Sequence, residues 1–127
     1  MPPTLTVTES QLFKQTIVRL KQGWTQTFYA RNQAGLKVSP TASEAAAWCL
    51  RGAMTRSFYD LTGIEPLHLS PQHKLRRPLQ QIRMHVESVV EELTGKPDVV
   101  ACNDDYLEYV QEAIAIVERA DRQFHST

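Results

Sequence analysis

Cys49 is the residue best suited to covalent chemistry, and it follows Trp48 in the run from Ser43 to Tyr59. A nucleophilic thiol needs a lowered pKa, which a helix tip, a nearby cation or a histidine base supplies. The chain offers His68, His73, His85 and His125, none of them inside a recognisable catalytic motif. Asn103 and Asp104, followed by Asp105, could join a thiol and an imidazole in a triad only if the fold brought them together. Buried free cysteine is also among the commonest core residues. A place in the second turn of a helix, beside Ala45, Gly52 and Ala53, favours that inert reading. Metal chemistry has less support. His68 and His73 stand five apart in an irregular stretch, and no Cys-x-x-Cys or His-Glu-x-x-His spacing occurs. Cys49 and Cys102 could approach each other, yet two thiols leave a zinc site short of ligands. No metal and no cofactor is expected.

Trp24 and Trp48 each carry an indole N–H that needs an acceptor when buried, and Gln26 and Asn103 are the candidates. If an active site exists, the residues to build it are Trp24, Gln26, Trp48, Cys49, Arg56, Asn103 and Asp104. The competing reading for Asn103-Asp104-Asp105 is structural, because such residues ahead of a helix are ordinary caps and turns.

The elements that must position these residues are mainly helical. Thr8 and Gln11 have capping-box spacing. Leu12, Phe13, Ile17 and Leu20, with Val18 adjacent, then follow at helical intervals, so the first helix is expected over Glu9 to Gln22, stopped by Gly23. Trp24 to Ala30 and Leu36 to Val38 flank the turn Asn32-Gln33-Ala34-Gly35 and read as a small β-hairpin. Ser43 and Glu44 open a central helix whose three alanines favour it strongly, ending near Leu61 before Gly63. Ala45, Cys49, Gly52, Ala53 and Arg56 would share one face. Gly52 costs about 1 kcal/mol against alanine in a helix, so a backbone or ring should press close to it. Three prolines (Pro66, Pro71 and Pro78) make Ile64 to Pro78 an irregular connection, with Pro78 suited to open the next helix. Leu79, Ile82, Val86, Val89 and Leu93, with Val90 beside them, form its apolar stripe, and Gly95 ends it. Asp105 with Glu108 has capping-box spacing for a final helix. Its stripe is Leu107, Val110, Ile114 and Val117, with Ala113 and Ala120 alongside, fading near Arg122. The expected architecture is a mainly α, single compact bundle of about four helices over residues 1 to 127. The small hairpin lies between the first two helices, and residues 1 to 7 form an extended tail.

Composition narrows the function classes. With 127 residues the chain can bury a core without disulfide or metal staples. Apolar residues at 42% and charged residues at 22% argue against disorder. Lys+Arg and Asp+Glu are both 14, and this balance makes nucleic acid an unlikely partner. No run reaches the roughly 18 apolar residues of a membrane span, and no signal-peptide pattern begins the chain. A soluble cytoplasmic protein with both thiols reduced is expected.

Three segments stand out together in this order: Gly23-Trp24-Thr25-Gln26, Trp48-Cys49-Leu50-Arg51-Gly52-Ala53, and Asn103-Asp104. Together they resemble the pattern of an uncharacterised bacterial and phage family, the six-one-nine-seven family of domains of unknown function. The likeness runs from about Leu12 to Ala120. The chain departs from the pattern in the Ile64 to Arg77 connection, and Thr27 stands where the resemblance implies glycine. The resemblance implies no established activity.

On the surface, Lys74, Arg76 and Arg77, followed by Arg83, form a basic group whose charges oppose the dipole of the helix they begin. They are candidates for an anion or an acidic partner. Glu87, Glu91 and Glu92 with Asp105, Glu108, Glu112 and Glu118 make acidic helical faces, so a protein partner or a second copy of this chain is conceivable. The leading expectation is a non-enzymatic binding or regulatory protein acting through protein or small-ligand contacts. The alternative is a small enzyme built on the Trp–Cys and Asn–Asp segments.

Overall fold

In the computed structural model, which describes residues 6 to 126, four long helices pack around one continuous apolar core. The elements run α1 (Glu9–Gln22), β1 (Ala30–Arg31), β2 (Ala47–Trp48), α2 (Leu50–Thr62), α3 (Arg76–Thr94), α4 (Val99–Ala101) and α5 (Val110–His125). Among the described residues there are thus five helices, the fifth being the short α4, which sequence periodicity is too brief to reveal. Most of the expected tail lies outside the described residues; within it, Val7 is buried in the core.

α1 forms over the expected span for local reasons. Thr8 Oγ1 accepts from Gln11 N at 3.2 Å while Gln11 Oε1 accepts from Thr8 N at 2.9 Å, closing the capping box. Leu12, Phe13, Thr16 and Leu20 are buried, whereas Val18 is exposed. α1 packs on α2, α5 and α3, and α3 packs on α5. Where α1 crosses α2, the buried hydroxyls of Thr16 and Ser57 meet at 3.1 Å. α2 and α3 end on left-handed glycines, Gly63 and Gly95, with φ +70° and +86°. Gly23, by contrast, is extended at φ −177°.

The central helix is shorter than expected. Residues 43 to 46 are turn and loop, Ala47–Trp48 is a strand, and Cys49 is the N-cap of α2. Helix propensity loses here to tertiary pairing. β2 pairs antiparallel with β1, matching Ala30 to Trp48 and Arg31 to Ala47. Trp48 also bridges in parallel to Trp24, with Trp48 N donating to Gly23 O at 3.0 Å and Thr25 N to Trp48 O at 3.2 Å. Gly23 permits this close approach, since a Cβ there would lie 2.2 Å from the Ala46 backbone oxygen. The expected hairpin is reduced to its turn. Asn32 N donates to Leu36 O at 2.9 Å and Arg31 bridges Lys37, but the strand partner of Ala30–Arg31 is β2.

α3 starts at Arg76, so Pro78 is its third residue, still within the first turn where a missing N–H costs nothing. Leu79, Ile82, Val86, Val89 and Val90 are buried as expected, while Leu93 at the end of the stripe is 39% exposed. Asp105 and Glu108 cap nothing. The cap sits one turn later, where Glu112 Oε1 accepts from Tyr109 N at 2.9 Å and Glu108 N at 2.8 Å. Before it, Cys102–Tyr106 forms a single π turn, closed by Leu107 N donating to Cys102 O at 3.0 Å. α5 buries Ala113, Ile116, Val117 and Ala120 and runs on to His125.

Candidate functional site

The π turn buries Asn103 fully. Its Oδ1 accepts from Trp24 Nε1 at 2.7 Å and from Leu50 N at 3.1 Å. Its Nδ2 donates to Thr25 O at 3.0 Å and Asp104 Oδ1 at 3.1 Å. Gln26 Nε2 completes the set by donating to Asn103 O at 2.8 Å and Leu107 O at 2.9 Å. One amide side chain therefore ties the loop after α1, the start of α2 and the approach to α5. Every donor and acceptor of that amide is used, so the Asn103 side chain holds segments together and has no atom free for a ligand.

Cys49 lies beside this lock. As the N-cap it accepts from Gly52 N through Sγ at 3.3 Å. Burial pushes its thiol up, outweighing that backbone donor, and the Asp104 carboxylate adds to the rise. A cavity of about 240 Å³ adjoins it, lined by Thr27, Phe28, Tyr29, Lys37, Val100 and Asp104, with no histidine on its wall. Cys102 is also buried, its thiol likewise pushed up by burial and by the Glu112 and Asp98 carboxylates. Among the described residues no group of three or more histidine, cysteine or carboxylate side chains is placed to hold a metal ion. None of their helices is long and apolar enough to cross a membrane.

Asp104 has a second task. Its Oδ1 accepts from Thr27 N at 2.8 Å, and Thr27 has φ +79°, the left-handed region disfavoured for β-branched residues. Replacing Thr27 with glycine should raise stability by about 1 kcal/mol, glycine's extra unfolded-state freedom offsetting part of the relieved strain. Urea unfolding measures it.

Trp48 and Arg56, grouped with these residues by sequence, belong to a different cluster. Trp48 Nε1 donates to Pro40 O at 2.9 Å, and its ring is flanked by the guanidinium groups of Arg19 at 5.0 Å and Arg56 at 5.5 Å. Both arginines bind Asp60, at 2.6 and 3.0 Å, and Gln15 Nε2 donates to it at 2.8 Å. Arg56 also donates to Pro40 O and Ala42 O, fixing the loop before β2. Burial alone would raise the Asp60 carboxyl, but the donors from Arg19, Gln15 and Arg56 together hold it below the usual carboxylate range. A lowered folded-state pKa contributes stability above the unfolded value, and that contribution is lost as pH falls through the folded value. Asp60→Asn should therefore be less stable than the natural protein at neutral pH, with the gap closing below about pH 4. Chemical unfolding at both pH values tests this.

The basic group also divides. Arg76 is structural: its Nη2 donates to Pro66 O at 2.8 Å and Leu69 O at 2.9 Å, and its Nε to Ser70 O at 3.2 Å. These carbonyls explain a cation at a helix start that the dipole opposes. Lys74 and Arg77 are exposed. Arg83 lies on the wall of a different cavity, of about 280 Å³, with Tyr29, Ser39, Pro40, Arg51, Thr55, Glu65, Pro66 and Leu67. Sequence reasoning missed this place, because no spacing links Arg51 on α2 to Arg83 on α3. Arg83 was already a candidate for an anion, but grouped with Lys74, Arg76 and Arg77; a further signal was Leu67, an apolar residue in a proline-rich connection, here 91% exposed.

No curated protein and no solved structure matches the chain. A family model does match, over residues 4–123, and its description is a family of unknown function, DUF6197. With nearly its whole length matched, the chain belongs to that family.

Proposed function

We propose that this chain is a non-enzymatic binding or regulatory protein of the cytoplasm, which captures its ligand in the cavity between α2, the Pro66–His68 turn and α3. The observation that carries this reading is the state of the side chains there. Arg51 and Arg83 line this space, neither in an ion pair among the described residues, with Glu65 on the same wall beside the apolar surfaces of Tyr29, Pro66 and Leu67. Polar groups placed sparsely on an apolar concave wall are what small-ligand sites are made of. The residues an enzyme would have used are otherwise occupied. Asn103 is saturated by internal bonds, and the Cys49 thiol is held up by burial with no imidazole on its cavity.

A fragment screen read by amide NMR shifts tests the reading. Hits should perturb Tyr29, Arg51, Thr55 and Leu67. Hits confined to the cavity beside Cys49, together with rapid iodoacetamide labelling of native Cys49, would favour the enzyme reading and end this one.

A further inference from the structure

We propose that the ligand of the α2–α3 cavity is a phosphate monoester on an apolar body, its phosphoryl group held between Arg51 and Arg83. This deepens the reading above and rests on it. Arg83 Nε is buried without a hydrogen-bond partner, an uncommon state for a group that is five-fold a donor. Burial, then the charges of Arg51 and Arg76, hold its guanidinium below the usual arginine range, with Glu87 and Tyr29 acting in the opposite sense. Two cations are therefore kept near each other in a part-dry place, and neither forms an ion pair among the described residues.

The carboxylates in the neighbourhood do not relieve this. Glu65, on the cavity wall, accepts from the Thr41 hydroxyl, and Glu87, one turn along α3 from Arg83, makes no ion pair with it. A doubly charged phosphoryl group offers the matching charge and enough acceptor oxygens for two guanidinium forks. Thr55 lines the same space and its hydroxyl adds a neutral donor. The second half of the ligand follows from the rest of the wall. Tyr29, Pro40, Pro66 and Leu67 are apolar or aromatic, and Leu67 stands almost fully open to solvent. The cavity volume of about 280 Å³ suits a phosphoryl group with one ring or a short chain attached.

The test uses phenyl phosphate, with inorganic phosphate, benzoate and benzyl alcohol as comparisons, and follows the Arg Nε–Hε signals by NMR. Phenyl phosphate should shift the Arg83 signal saturably and bind about tenfold or more tighter than any comparison compound. Arg51→Gln and Arg83→Gln should each weaken it by about tenfold to a hundredfold, the range of a charge-assisted hydrogen bond. Without ligand, Arg51→Gln should melt no lower than the natural protein, because it removes repulsion and no partner. Benzyl alcohol or benzoate binding as tightly as phenyl phosphate would overturn the phosphate proposal and leave the cavity reading standing. No binding by any of the four would overturn both. A lower melting temperature for Arg51→Gln would mark the arginines as structural and overturn the proposal on its own.

Discussion

Asn103→Ala should lose about 3–5 kcal/mol of stability, the largest effect expected of any single side-chain truncation outside the apolar core. The substitution leaves the Trp24 indole N–H and the Leu50 N–H without their acceptor, and the Thr25 carbonyl without one donor. Each unsatisfied buried group costs about 1–3 kcal/mol, and the vacated space is too polar to close over. Asn103→Asp is the sharper variant. It keeps an oxygen for Trp24 and Leu50 but turns the other atom into an acceptor facing Thr25 O and the Asp104 carboxylate. Burial and the like charge raise the folded-state pKa of the new carboxyl, so its penalty should shrink at acid pH and grow as pH rises through that value. Urea midpoints for both variants between about pH 4 and pH 8 decide the matter. An alanine variant within about 1 kcal/mol of the natural protein would mean the lock is not closed in solution.

Gly52→Ala should destabilise by about 3 kcal/mol, where helix propensity alone forecasts a gain of about 1 kcal/mol. A Cβ on Gly52 would sit 2.0 Å from the Tyr29 carbonyl oxygen, and backbone cannot swing aside as a flexible side chain does. The first turn of α2 would have to lift from the residues before β1. That movement also stretches the Cys49 N–H bond to Tyr29 O, 3.2 Å in the native fold. The sign of the change in unfolding free energy is enough: a gain would show that α2 and the Tyr29 backbone are not in contact.

The sequence disclosed what is decided locally. The Thr8–Gln11 box, the stops at Gly63 and Gly95 and the stripe from Leu79 to Val90 depend on residues a turn or two apart, and each stands where expected. Gly52 was legible for a different reason: a costly residue in a helix implies a neighbour, and the neighbour is Tyr29. The run from Ser43 to Trp48 misled, because its alanines favour a helix while its partners, Gly23, Trp24 and Ala30, lie far back in the chain. Shifting the helix start moved Cys49 from an interior position to the N-cap. The need of the Trp24 indole for an acceptor pointed to Asn103, yet nothing local indicated the π turn that delivers it. Trp48 and Arg56 parted from that group because β2 turns the Trp48 ring toward α1 and Asp60. Arg83 was named as an anion candidate from its basic neighbours, but its pairing with Arg51 was beyond reach, since that exists only through the packing of α2 and α3.

The position of Asn103 also bears on how the chain is made. Its partners, Trp24, Thr25 and Leu50, leave the ribosome long before it does. Until it emerges, the Trp24 indole N–H and the Leu50 N–H lack their acceptor, and α5 is not yet there to cover α1. Contacts of such long sequence separation form only after a large loop has closed. Assembly is therefore a late event in synthesis. α1 and α2 can pack on each other before then, but the faces that α3 and α5 cover stay open, so a nascent chain stalled short of Cys102 should be cleaved by protease faster than the full chain.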